Sequence, residues 1–466
     1  MQVDRMTKNA SLDDVLKLVA TALSEVGAQH ATWQIERLGV MVHEAMSLDT
    51  RHYHDLTHAV SVAQQGDAIE IFAGLFHDVV YHHVDKLFAP SLAPLIESLV
   101  EFDDGGVQLC AGACDEDHWA QVALKVFGIT PEQAPSLSAG LNELLSAIVA
   151  AKALQTLLED SQIVQIVACI EATIPFRKPD ENGKTAIEAL AQRLSQVSDQ
   201  YALGLSEDSV SDCMIRAVNV SNKDLSSFAR EDSREFLAET WLLFAESSAV
   251  LGRKRGFFMG DYSASLSGAL GFFTTLNAHN VFQRFGQYPA TPVHEDLERA
   301  LQDNLAWGVV YLKMKIIAIA LLEGLAQMTG GDTLVTLFMG QVRLADEKGK
   351  RFEDFLPVSQ DASPQSATRD SGGDSMTYEL LAHGRAAISR FDMPNSPLAA
   401  FLYARLGEAE MLRLYPFAAS SLAQEISPKL YLAEIPKALL LDVVRACQRI
   451  AWTRKEQLQQ VLRELG

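Results

Sequence analysis

The chain is predicted to be all-α, because its apolar residues recur at helical spacing and alternating, β-branched strand patterns are hard to find. Leu12, Val15, Leu16, Val19 and Leu23 fall on one helical face near the start, and Leu141, Leu144, Leu145, Ile148 and Val149 repeat the pattern. At 466 residues the chain exceeds the length at which one hydrophobic core stops growing, so more than one compact body is expected. Hydrophobic residues at 48% and charged residues at 21% lie near globular averages, which excludes wholesale disorder and a fibrous architecture.

Taken in order, the helices are separated by turn-forming stretches at 101–106, 128–135, 175–183 and 286–292. The segment 357–376, PVSQDASPQSATRDSGGDSM, is almost devoid of apolar residues and predicts a flexible linker. The expected organisation is a helical domain over 1–245, a helical extension over 246–356, the linker, and a helical segment over 377–466 ending in an amphipathic helix. The most apolar stretch, Val309 to Met328, carries Lys313, Lys315 and Glu323, which predicts a buried helix rather than a membrane span. No internal repeat of fixed period is visible.

Lys and Arg number 39 against 60 Asp and Glu, a net charge of −21. Such a field repels polymeric nucleic acid and anionic membranes, although a small nucleotide held through a cation stays compatible with it. The five cysteines, Cys110, Cys114, Cys169, Cys213 and Cys447, are scattered, and the first two lack a second pair to complete a zinc site. They fit structural thiols in a reducing compartment. The start, MQVDRMTKNASLDDVLKLVATAL, lacks the apolar core and cleavage site of a signal peptide, so a cytoplasmic location is expected.

Chemistry concentrates between Arg51 and His83, which hold His52, His54, His58, His77, His82 and His83, half of the chain's 12 histidines. His54 and His58 are four apart, so on a helix their Cβ atoms lie about 6 Å from one another. One can bind a metal while the other stays free beside it. The apolar run Ile69 to Phe76 ends abruptly in His77-Asp78, which delivers an imidazole and a carboxylate to one point. Mixed nitrogen and oxygen donors suit a divalent Mn, Mg, Fe, Ni or Zn ion rather than a thiolate-selected metal.

The pattern Tyr53-His54-Asp55-x-x-His58, followed by Phe76-His77-Asp78, resembles the HD superfamily of metal-dependent phosphohydrolases. It is most similar to the bacterial branch whose motifs read R-x-Y-H-x-x-x-H and a-x-F-H-D-x-x-Y. Cyclic-nucleotide phosphodiesterases share the histidine spacing, with Asn where this chain has Asp55. The resemblance covers residues 51 to 81 and extends more weakly to about 240. It implies an HD-domain-like helical bundle over 1–245, with the C-terminal helical segment as an addition. It also implies that His58, His77 and Asp78 bind the metal together with a distant aspartate. Asp224, in AVNVSNKDLSSFA, is favoured for that place, with Asp212 and Asp232 as rivals.

The chemistry so implied has a divalent ion polarising a phosphoryl oxygen and supplying hydroxide from its bound water. Asp78 takes part as ligand, and likeness to the phosphodiesterases gives His54 the task of protonating the leaving oxygen. Arg51, Lys223 and Arg177 are available to pair with phosphate oxygens. Where the superfamily has acidic residues shortly after the His-Asp helix, this chain has His82, His83 and Asp85, which weighs against a second metal. Tyr81 is expected to pack near the site, and His82 and His83 to be solvated residues at a helix end. Glu171, Thr173 and Arg177 read as a helix C-terminus with Arg at its negative end, or as a wall of the substrate pocket. Phe257, Phe258, Phe272, Phe273, Phe282 and Phe285 read as core, with a base-stacking pocket as the alternative.

The leading expectation is thus a hydrolase for a small phosphorylated substrate, a nucleotide or cyclic nucleotide. The alternatives are a regulatory or scaffold protein that keeps a structural metal and uses its helical C-terminal part for partner binding or self-association, and a di-iron oxygenase in an HD-type pocket.

Overall fold

The computed structural model describes residues 9–103, 106–130, 140–248, 250–251, 257–340, 351–357, 372–385 and 395–465. Helix makes up 72% of it, and the only sheet among the described residues is a two-stranded hairpin, so the chain is all-α as expected. Of the expected linker, positions 358–371 lie outside the described residues.

Short polar side chains start the first helices by accepting the amides that a helix N-terminus leaves unpaired. Ser11 and Asp14 exchange such bonds at α1 (Leu12–Glu25), which α2 (Thr32–Met46) follows. Asp55 accepts the amide of His58 at 3.0 Å to open α3 (Leu56–Ala63), and Asp67 and Glu70 cap α4 (Ala68–Phe76). Short turns α5 (His82–Asp85) and α6 (Ala93–Ile96) precede the antiparallel strands β1 (Val100–Asp103) and β2 (Gly106–Leu109), paired with Glu101 opposite Gln108. Then come α7 (Ala111–Glu116), α8 (His118–Phe127), α9 (Leu141–Leu154), α10 (Asp160–Glu171), α11 (Ala186–Gln200) and α12 (Glu207–Asp224).

Helix α4 decides where the site sits. All nine of its residues are buried, and all but Glu70 are apolar, so it runs through the core with α1, α3, α9, α10 and α12 packed on it. Gly74 permits the approach of α3, since a Cβ there would meet the backbone nitrogen of Ala63 at 2.7 Å. Helix α12 lies along α4 in parallel. Arg216 Nε bonds Asp67 at 2.5 Å and Asn219 Nδ2 bonds the buried Glu70 at 2.7 Å, both across 149 positions. Continuing that register brings Asp224, the last residue of α12, to the end of α4.

The chain forms two compact units, Met1–Ala229 with Leu276–Ala300, and Arg230–Thr275 with Leu301–Gly466. The division falls at 229/230 rather than at 245, and the segment from 377 onward belongs with 230–275 and 301–356 rather than standing apart. The second unit contains α13 (Ser233–Ser247), α14 (Met259–Thr275) and, from Leu301, most of α15 (Thr291–Thr329). Its remaining helices are α16 (Val335–Met339), α17 (Gly372–His383), α18 (Pro397–Leu422), α19 (Pro428–Glu434), α20 (Lys437–Ile450) and α21 (Lys455–Leu465).

By length and composition alone α15 is apolar enough to cross a membrane, yet 72% of its most apolar window is buried, the pattern of a core helix. Gly308 leaves room for the Phe273 ring, which stacks on Phe236. Tyr431 Oη donates to the Ile317 carbonyl at 2.7 Å. Of the phenylalanines expected in the core, Phe257, Phe273 and Phe282 are buried, while Phe258 is exposed.

Candidate metal centre

Three elements deliver one donor group each, and the residue after α4 delivers a fourth. His58 lies in the first turn of α3, held there by Asp55, so the acidic residue of the Tyr-His-Asp motif serves as a helix cap. His77 is the C-cap of α4, Asp78 follows it, and Asp224 ends α12. One donor atom from each of these four residues lies within 4.8 Å of the others. His58 Nε2 stands 2.9 Å from Asp224 Oδ1 and 3.8 Å from Asp78 Oδ2. His77 Nε2 stands 2.9 Å from Asp78 Oδ2 and 3.5 Å from Asp224 Oδ1.

The tautomer of His77 follows from its neighbour. Its Nδ1 lies 2.9 Å from the carbonyl of Gly74, which can only accept, so Nδ1 carries the proton and the Nε2 lone pair of the neutral ring faces the cluster. His77 is 1% exposed, and neither its Nε2 nor Asp78 Oδ2 has a hydrogen-bond partner among the described residues. Their 2.9 Å separation thus lacks the alignment of a hydrogen bond.

Two carboxylates this close repel by roughly 3–4 kcal/mol at an effective dielectric of about 20, so positive charge must share the pocket. Burial alone would raise the Asp78 carboxyl, but the charges of His77, His54 and His58 outweigh it and hold the group well below the usual carboxylate range. Burial likewise acts upward on Asp224, and its hydrogen bond to His58 together with the nearby His77 ring brings it down to about 2. For His77 burial favours the neutral ring, yet Asp78 and Asp224 raise its pKa well above 6.5. The C-terminal ends of α4 and α12 both point here, and their negative dipole ends add to the preference for a cation. A divalent ion fits this donor set of two imidazoles and two carboxylates, whose orphaned Nε2 and Oδ2 atoms it would satisfy.

Comparisons with known family models, with curated proteins and with solved structures return no significant match for this chain.

Other residues expected at the site take different places. His54 stands beside the cluster, its ring 5.6 Å from that of His58 and 4.4 Å from that of Tyr81. Arg51 does not face an open pocket. Its side chain is buried, pairs with Asp85 through Nε at 3.0 Å and Nη2 at 2.6 Å, and donates from Nη1 to the Asp78 carbonyl at 2.6 Å. It therefore ties the loop before α3 to the turn after α4, a positioning task rather than phosphate binding. Lys223 donates to the Gln64 carbonyl at 3.2 Å, at the end of α3. Arg177 is engaged bidentately by Glu171, which Arg193 also pairs with, so this group ties α10 to α11.

Of the rivals to Asp224, Asp212 is exposed and Asp232 caps α13. His82 is buried against Phe88 and Phe102 instead of being solvated, and burial lowers its pKa. His83 meets Asn142 at 3.0 Å.

The sequence reading missed Glu143. Its Oε2 is buried without a hydrogen-bond partner among the described residues. Burial, with Asp78 and Asp224 adding to it, pushes this carboxyl up to about 7. The available signal was the polar set Asn142, Glu143 and Ser146 in the first half of a helix whose only other polar residue is Lys152.

Proposed function

We propose that this chain is a metal-dependent phosphohydrolase of the HD type that cleaves a phosphate ester or phosphodiester of a nucleotide or cyclic nucleotide. The observation that carries this reading is the orphaned pair His77 Nε2 and Asp78 Oδ2, buried inside a cluster of two imidazoles and two carboxylates. A divalent cation held there supplies Lewis acidity, polarising a phosphoryl oxygen and lowering the pKa of a coordinated water. His58 and His77 contribute lone pairs, Asp78 and Asp224 contribute charge, and the Gly74 carbonyl keeps His77 in the ligating tautomer. His54, adjoining His58 and Tyr81, protonates the leaving oxygen.

One observation favours a second reading, a structural metal centre in a regulatory protein. Arg51, Arg177 and Lys223, the cations expected at the phosphate, all hold protein partners. Elemental analysis and hydrolysis of bis-p-nitrophenyl phosphate and p-nitrophenyl phosphate in Mn, for the native chain and Asp78→Ala, separate the two. Metal and turnover, both lost in the variant, support the hydrolase. Metal without turnover on any phosphoester favours the structural centre, and failure to take up metal after reconstitution removes both.

A further inference from the structure

Asp224 is the last residue of α12, so the aim of its carboxylate depends on what holds the chain on both sides of it. Before it, Asn222 exchanges bonds with the Gln283 backbone at 2.7 and 3.0 Å, and Lys223 reaches the Gln64 carbonyl at 3.2 Å. After it the chain enters a 3-10 turn, Leu225–Ala229. Ser227 is buried in that turn, and its Oγ meets Tyr53 Oη at 2.5 Å across 174 positions. Phe228, next along, is buried with its ring 6.0 Å from that of Phe176.

Tyr53 itself stands among the residues of the centre. Its ring lies 5.2 Å from that of the donor His58 and 4.8 Å, edge-on, from that of His54. Two positions earlier Arg51 holds the Asp78 carbonyl, and two positions later Asp55 caps α3. Residues 51–55 therefore reach all three places that supply donors: α3 through Asp55, the end of α4 through Arg51, and the turn after α12 through Tyr53. A phenylalanine ring would pack in the same space, so the bond from Tyr53 to Ser227 is the part of this residue that packing does not explain.

Resting on the metal centre of the reading above, though not on its chemistry, we propose that Tyr53 is a positioning residue. Through Ser227 it locks the chain that follows α12, and so fixes where Asp224 stands relative to His58 for a divalent cation. Without the bond, the turn after Asp224 gains freedom that cation binding must then remove, which weakens binding. Loss of such an outer partner of a metal site costs about ten- to a hundredfold in affinity.

The test compares the full-length native chain with Tyr53→Phe, Ser227→Ala and the double variant, with circular dichroism to check the fold. Tyr53→Phe keeps the ring against His54 and His58 and loses only the hydroxyl. By calorimetry each single variant is expected to bind the same number of Mn ions as the native chain, about tenfold more weakly or worse. The double variant is expected to lose no more than the weaker-binding single, because either change breaks the same bond. The visible bands of the Co-loaded protein follow the geometry of the donors, and those of Tyr53→Phe are expected to differ from the native ones. If Ser227→Ala does not fold, Tyr53→Phe decides alone by affinity and bands. A folded Tyr53→Phe with native Mn affinity or native bands overturns the proposal and leaves the metal centre standing, whatever its stability in urea. Losses that add in the double variant overturn it as well. A native chain that takes up no Mn removes the centre and the positioning role with it, whereas one that holds Mn yet cleaves no phosphoester removes only the hydrolase reading.

Discussion

Asp224 Oδ1 lies 2.9 Å from His58 Nε2, although 166 positions separate the two residues. The parallel register of α12 on α4, fixed by Arg216 on Asp67 and Asn219 on Glu70, makes that meeting possible. The cluster is thus held from outside by polar clamps as well as by its own contacts. Losing one donor is a different event from losing the scaffold.

Asp78→Ala removes one of two carboxylates that offset the charge of a bound cation, while leaving α4 and its apolar packing in place. Mn affinity is expected to fall by more than about a hundredfold, beyond what loss of an outer-sphere partner brings. Calorimetry measures the affinity and circular dichroism the helix content. Unchanged Mn binding in a folded variant would falsify the ligand set.

The pH dependence of metal uptake follows from His77. In the metal-free chain its pKa is raised above 6.5, so its contribution to stability is full below about pH 6.5 and is lost as pH rises through the folded value. Asp224 runs the other way: held at about 2, it contributes above its ordinary value of 3.8 and stops contributing as pH falls towards 2. A cation needs the neutral ring, so binding near neutrality expels the His77 proton. Mn affinity is expected to rise with pH between about 6 and 8, with about one proton released per ion. Calorimetry in buffers of different ionisation enthalpy counts those protons. A heat that does not change with the buffer would exclude His77 as a proton-shedding ligand.

Arg51→Ala strands the Asp85 carboxylate, since the pair is only 1% and 3% exposed. Removing one partner of a buried pair destabilises by about 3–5 kcal/mol, whereas removing both spares the uncompensated charge. The single variant is expected to unfold at lower urea, and the double variant with Asp85→Ala to recover part of the difference. If the double variant is less stable than Arg51→Ala, the stranded charge is not the cause. A role at the phosphate instead predicts unchanged stability with weakened substrate binding.

The all-α class was legible because α1 shows one strong helical period and α9 is a long apolar run, and the caps at Ser11 and Asp67 reinforce it. The gathering of His58, His77 and Asp78 was legible because two motifs fall on consecutive helices, where a short connection forces proximity. Asp224 was harder, because its place depends on the register of two helices far apart in sequence. Arg51 was misplaced for a physical reason: a cation beside a histidine motif looks available until its partner is known, and Asp85 lies 34 positions away. His82 was misread because adjacent histidines look solvated, while the turn after α4 folds this one onto Phe88. Glu143 escaped notice since a single acid in an apolar helix carries no motif of its own, and only its buried, unpaired oxygen marks it.

Gly74 tests whether the scaffold sets the site. Its carbonyl fixes the tautomer of His77, and its missing side chain lets α4 approach α3, which carries His58. A Cβ at this position would lie 2.7 Å from Ala63 N and 2.8 Å from Ala63 Cα, contacts with backbone that no rotamer change relieves. Gly74→Ala must therefore push α3 away from α4, at a cost of about 1–3 kcal/mol for overpacking a tight core. A displaced α3 carries His58 away from His77, Asp78 and Asp224, so Mn affinity is expected to fall although no donor has been changed. Thermal unfolding and Mn calorimetry on the same preparation check both halves. A variant with lowered stability but native Mn affinity would mean that the loop after α3 absorbs the strain and that His58 is positioned by Asp55 and Asp224 alone.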